Sequence, residues 1–254
     1  MSHSHDLRSL LESWPFDPGD DVRIVRGADG RQIMQVRLPL GIEQYEMDGR
    51  PDGQRPHGME SALEYQLAQL IKAKAAGEEE AFKLDADECI ELFNEGVLYY
   101  YRYVRCFQTK DWVRTVRDTT RNLRVFDLVK RYAERDEDRL QLEQWRPYVL
   151  RMNAVARAMM AVDDQRFREA MKIIGDATTS IESLEDMDNP TFKFERERSL
   201  LALRELAERL EKDRPMTELE RLQRELQKAI EAEQFERAAR LRDRIKALRT
   251  TAGM

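Results

Sequence analysis

The side chains best suited to binding chemistry in this sequence are arginines. Lys110, Arg114, Arg117, Arg121 and Arg124 recur at three- and four-residue spacing. At about 100° per residue they occupy one narrow sector of a helix, with Trp112, Val116 and Leu123 opposite. Such a stripe can line a groove for an acidic tail or for nucleic-acid phosphates. In a chain of net charge −6 the preferred expectation is a solvated face whose charges pair with neighbouring acids such as Glu134, Asp136 and Glu137 or with Glu-rich helices. Arg50 and Arg55 form a second group, each followed by a proline within a segment that carries two Asp-Gly pairs. Proline fixes φ after each arginine, so the guanidiniums could meet a carboxylate or phosphate at reduced entropy cost. The preferred expectation is again pairing with acids of this chain, in a loop that joins sheet to helix.

Groups for catalysis are sparse. The histidines are His3, His5 and His57, and the cysteines are Cys89 and Cys106. His3 and His5 lack a third metal ligand, and the two cysteines lie inside apolar helical pattern without a C-x-x-C spacing. No serine sits in a nucleophile-elbow pattern and no glycine-rich phosphate loop follows a strand. Acid groups such as Asp163-Asp164 and Glu78-Glu79-Glu80 read as helix caps and solvated turns. The expectation is a protein without cofactor or metal that works by binding, with a carboxylate-only hydrolase as the remaining enzyme class. Residues 1–16 have no long apolar run and carry acids, which predicts neither signal peptide nor membrane span and a cytoplasmic location. A charged fraction of 36% against 41% hydrophobic suits long helices with wet faces.

The elements that must position these residues are mostly helices. Alternation from Val22 to Met47 predicts a three-stranded antiparallel meander, with a turn at Gly27-Ala28-Asp29-Gly30 and a connection at Pro39 and Gly41. One face should be covered by a following helix and the other should be wet. A first long helix is expected over 59–76, stopped by Gly77. A second, capped by Asp85 or Asp87, should run to about Phe107, and a third from Asp111 to about Glu134. Gly96 in the second implies close approach of a neighbouring helix. Pro147 begins or kinks a helix reaching Val162, and Asn189-Pro190 separates a helix ending near Met187 from one over 192–212.

An internal similarity links Trp112-Val113-Arg114-Thr115 with Phe167-Arg168-Glu169-Ala170, 55 residues apart: an aromatic opens a helix and a small residue follows three positions later. Together with Gly96-Val97-Leu98-Tyr99-Tyr100 this resembles tetratricopeptide helical hairpins, although that family repeats every 34 residues or about that. Helices several turns longer are therefore implied.

After Arg214-Pro215, Thr217 and Glu220 fit a capping box that starts a helix carrying Leu219, Leu222, Leu226 and Ile230 on one stripe. A second helix from Phe235 carries Ala238, Ala239, Leu241, Ile245 and Leu248, so the two stripes can face each other as an antiparallel hairpin. The run Phe235, Ala238-Ala239, Leu241-Arg242-Asp243 and Ile245 resembles the UVR motif. This short hairpin ends the UvrB excision-repair protein, lies within UvrC, and recurs in Clp-type unfoldases and the activator of a protein-arginine kinase. The resemblance implies an interaction module that pairs with another such hairpin, with a partner domain or with a second copy. Phe235, Ala238, Ala239, Leu241, Arg242 and Asp243 would be its contact residues. The helicase motifs of UvrB and the nuclease segment of UvrC are not found in the rest of the sequence. Leu38-Pro39-Leu40-Gly41 and the segment from Gly49 to Pro56 also resemble the front of bacterial proteins that end in this motif.

The expected architecture is thus mainly α: a meander and Arg-Pro loop over 1–58, solenoid-like helical hairpins over 59–213 and a UVR hairpin over 214–254. The expected function is an adaptor that recruits a protein partner in Clp-type quality control or DNA repair. The rival is a nucleic-acid-binding accessory protein using the stripe from Lys110 to Arg124.

Overall fold

Residues 6–214, 216 and 218–251 are described by the computed structural model, which divides into one unit over 1–207 and another over 208–254. The tail histidines His3 and His5, the stop at Pro215 and the capping box of Thr217 with Glu220 lie outside the described residues.

A short helix, α1 (Arg8–Ser13), precedes the meander β1 (Val22–Arg26), β2 (Gln32–Leu38) and β3 (Gly41–Glu46), paired antiparallel in the order β1-β2-β3. The register sets Ile24 opposite Met34 and Met34 opposite Tyr45. Period-two alternation then puts Met34, Val36 and Tyr45 in a small core with Met47. The covering residue is Cys106, from the second long helix rather than the first. The opposite face of β2 is not simply wet: Ile33 and Arg37 are buried there, and Arg37 donates to the carbonyls of Trp14 and Gly41. The segment before the sheet is thereby tied to it.

The helical body begins with α2 (Ala62–Ala76), capped by Ser61 and ended by Gly77 at φ 75°. Left-handed φ there suits glycine, which has no Cβ to clash. In α3 (Ala86–Gln108) Asp85 and Glu88 form a reciprocal capping box. Then come α4 (Trp112–Tyr132), a short α5 (Asp136–Glu143) that the periodicity did not predict, α6 (Arg146–Asp163) with Pro147 in its first turn, and α7 (Phe167–Glu182). α7 stops five residues before the expected Met187, where Arg196 donates to the Glu182 carbonyl and satisfies a helix-end acceptor. Asn189 accepts the Phe192 N–H and Pro190 opens α8 (Pro190–Asp213), as suits an N-cap followed by proline. The boundary between the units falls inside α8. A core of Leu63, Leu84, Leu92, Val125, Val129 and Leu142, among others, joins α2 to α5. Gly96 meets its expected neighbour, because Asn122 of α4 donates to its carbonyl at 2.9 Å.

The second unit contains the antiparallel pair α9 (Glu218–Glu231) and α10 (Phe235–Thr251). Leu222, Ala229, Leu241 and Ile245 are buried between them, with Leu219, Leu226, Ala238 and Leu248 packed around.

Candidate functional site

Among the described residues, three helix pairs turn in the same way. At the α3–α4, α6–α7 and α9–α10 junctions, the residues Lys110, Gln165 and Glu233 adopt φ of 60°, 59° and 56°. Each donates its N–H to the carbonyl three residues back, and each following residue, Asp111, Arg166 or Gln234, donates to the carbonyl five residues back. That double bond pattern around a left-handed residue ends a helix abruptly and starts the next at once. The residue after it is an aromatic: Trp112, Phe167 or Phe235. The 55-residue similarity is the first two of these turns. The third, in the C-terminal hairpin, escaped the sequence comparison, although the aromatic-x-x-small pattern recurs there as Phe235 and Ala238.

What differs among the turns is the cover over the aromatic. Trp112 is partly buried, packs edge-on against Phe107 and donates its Nε1–H to Asp163. Phe167 is also partly buried, and the small residues Thr115 and Ala170 are fully buried. Phe235, by contrast, is 71% exposed, and Ile230 at the end of α9 is 48% exposed. The hairpin fills its core without them. Leu241 points into that core, so it holds the hairpin together rather than its outer face. Ala238 and Ala239 are partly covered, whereas Arg242 and Asp243 are exposed on α10. The arrangement offers a large aromatic next to small residues, a surface on which another helix can come close.

The arginines of the stripe sit against acids of this chain, two of them glutamates on α2 and α3. Arg114 pairs with Asp111, Arg117 with Asp48 and Asp118, Arg121 with Glu95 and Arg124 with Glu64. Glu134, Asp136 and Glu137 are not those partners. Nor is the whole sector wet: Arg121 is buried over the Tyr99 ring. Burial, with Arg124 and Arg50 nearby, pulls its guanidinium below its ordinary range, and the charge of Glu64 opposes that. Glu95 is fully buried, accepts the N–H groups of Ala62 and Leu63 at the start of α2, and pairs with Arg50 at 3.2 Å. A carboxylate there satisfies free helix-end donors and opposes the helix dipole. Arg50 also pairs with Asp52, while Arg55 stands exposed on the loop. Beside them Arg102, fully buried on α3, clasps Asp118 with Nε and Nη2 and the carbonyls of Glu46 and Gly49 with Nη1. These groups fasten the loop after β3 to α3 and α4, and the sequence singled out neither Glu95 nor Arg102. Charged residues inside an apolar stripe were the available sign.

The cysteines are buried and free, and burial above all pushes both thiols up to about 12. Thiols held protonated are poor nucleophiles. His57 stacks on Tyr65 and lies 3.1 Å from a Glu91 carboxylate oxygen. No helix of the described residues is long and apolar enough to cross a membrane.

No curated protein and no solved structure matches the chain. The model of the UVR family, the UvrB/uvrC motif, matches residues 217–251, a span that covers α9 and α10, so the exposed aromatic and the small residues beside it lie within a UVR motif.

Proposed function

We propose that this chain is a non-enzymatic, cytoplasmic adaptor that holds a protein partner through its UVR hairpin, in Clp-type protein quality control or in DNA repair. The observation that carries this reading is the exposure of Phe235 at the one turn of three whose aromatic is left uncovered. An aromatic with an adjacent small-residue patch is the kind of anchor that concentrates binding energy at protein interfaces. The partner surface is a helix pair of similar kind, in another protein or in a second copy of this chain.

The test is capture. Full-length protein is used as bait in a pull-down from lysate of its own cells, alongside sedimentation of the purified chain. Ala239→Glu, which sets an unpaired charge in the contact, should weaken whichever association is found by at least about tenfold while leaving the melting transition unchanged. Retention of every parental interaction by Ala239→Glu would reduce the hairpin to a terminal cap.

The nucleic-acid alternative has a separate expected outcome. Because Arg114, Arg117, Arg121 and Arg124 are already held by carboxylates of this chain, binding to single- or double-stranded DNA or RNA in moderate salt should be weaker than micromolar. Fluorescence anisotropy with labelled oligonucleotides measures it. Salt-sensitive affinity below micromolar would favour the accessory-protein reading.

A further inference from the structure

The first unit contains a cavity of about 340 Å³ bounded by α3, α4, α5, α6 and α8. Gly96 leaves one wall without a side chain: a Cβ there would meet only Asn122 Oδ1, at 3.9 Å. The rings of Tyr100, Trp145 and Tyr148 supply much of the remaining wall. Tyr100 and Trp145 are each 40% exposed, so solvent reaches this space.

Glu195, on the inner face of α8 with Phe192, Ser199 and Leu203, is also part of this lining. It is 5% exposed, and its Oε2 is buried without any hydrogen-bond partner. Its Oε1 receives only a 3.4 Å bond from Arg198. Of the neighbouring guanidiniums, Arg151 donates to Ser199 Oγ and lies over the Tyr148 ring, while Arg198, 56% exposed and over Phe194, also lines the cavity and is the one paired with Oε1. A buried acceptor with no donor is costly to the fold. Aromatic faces are negative, and with a carboxylate oxygen among them they attract a cation that carries N–H donors.

We propose that this cavity binds an organic ammonium ion, with the N–H groups donating to Glu195 Oε2 and the hydrocarbon body lying against Tyr100, Trp145 and Tyr148. The ammonium can belong to a free amine or to a lysine side chain. Trp145 in the wall gives an intrinsic reporter.

Full-length protein is titrated by calorimetry and tryptophan fluorescence with phenethylammonium, with 2-phenylethanol as the uncharged match and Nα-acetyl-lysine amide as the side-chain form. Saturable binding is expected for at least one ammonium probe, with phenethylammonium or the lysine derivative at least tenfold tighter than the alcohol. Glu195→Gln should reduce that affinity at least tenfold at an unchanged or raised melting temperature, and Gly96→Leu should fill the space and abolish binding. Absence of saturable binding by either ammonium, equal affinity for the alcohol, or unchanged affinity in Glu195→Gln would overturn the proposal. The comparison of ammonium with alcohol uses the parent chain alone and holds even if a variant fails to fold.

Discussion

Replacing Arg102 with methionine should lower the stability of the first unit by about 3–5 kcal/mol, the usual loss when one partner of a buried ion pair is removed. Arg102 and Asp118 are both fully buried, and the guanidinium makes two bonds to the carboxylate at 2.7 and 2.9 Å. The same side chain donates to the carbonyls of Glu46 and Gly49 at 2.7 and 2.8 Å. Methionine would fill much of the volume but leave a buried carboxylate held only by Arg117, together with two carbonyls that have lost a donor. Against a typical total of about 5–15 kcal/mol, such a loss brings a domain close to unfolding at physiological temperature. Urea denaturation followed by circular dichroism measures the change. The double variant Arg102→Met with Asp118→Leu should recover a large part of it, because no buried charge then remains unpaired. A loss below about 1 kcal/mol for the single variant would show that the clasp is not what fastens the sheet to the helices.

Phe235→Ala should weaken partner capture or self-association at least about tenfold and leave the fold intact. At 71% exposure the ring contributes little to the hairpin core, where Leu222, Ala229, Leu241 and Ile245 are already buried. Truncation thus removes surface that only a partner would cover, and an interface aromatic of this kind typically contributes about 2 kcal/mol or more. Leu241→Ala is the contrasting variant. It should cost about 2–5 kcal/mol of hairpin stability, and any loss of binding would follow from unfolding. Sedimentation equilibrium and pull-down report the association, and thermal melts report the fold. If Phe235→Ala melts early and Leu241→Ala does not, the inward and outward faces of α10 have been assigned the wrong way round.

Local features were legible from the sequence because their causes lie within a few residues. The meander follows from alternation and turn glycines, and its register puts Met34 and Val36 on one side as a period of two requires. Gly77 and Asp85 mark helix ends because a left-handed residue and a side-chain acceptor act on the adjacent turn. The UVR hairpin was legible for the same reason, since its stripes and turn are contiguous. The end of α7 was not, because the donor to Glu182 is Arg196, on the following helix. A short helix such as α5 has too few turns to show a period.

By itself the sequence determined the three strands and the long helices, and the UVR hairpin over 217–251. Tertiary structure alone decided what each charge does. A stripe of arginines at helical spacing looks the same whether it meets water or another helix; here Arg121 is enclosed with Glu95 and Arg117 is tied to Asp48, 69 residues away. Likewise, nothing in the spacing of α8 distinguishes Glu195 from its solvated neighbours except its place in the stripe of Phe192, Ser199 and Leu203. Periodicity records the direction in which a side chain leaves its own helix, whereas burial and pairing depend on which surface arrives there from a distant part of the chain.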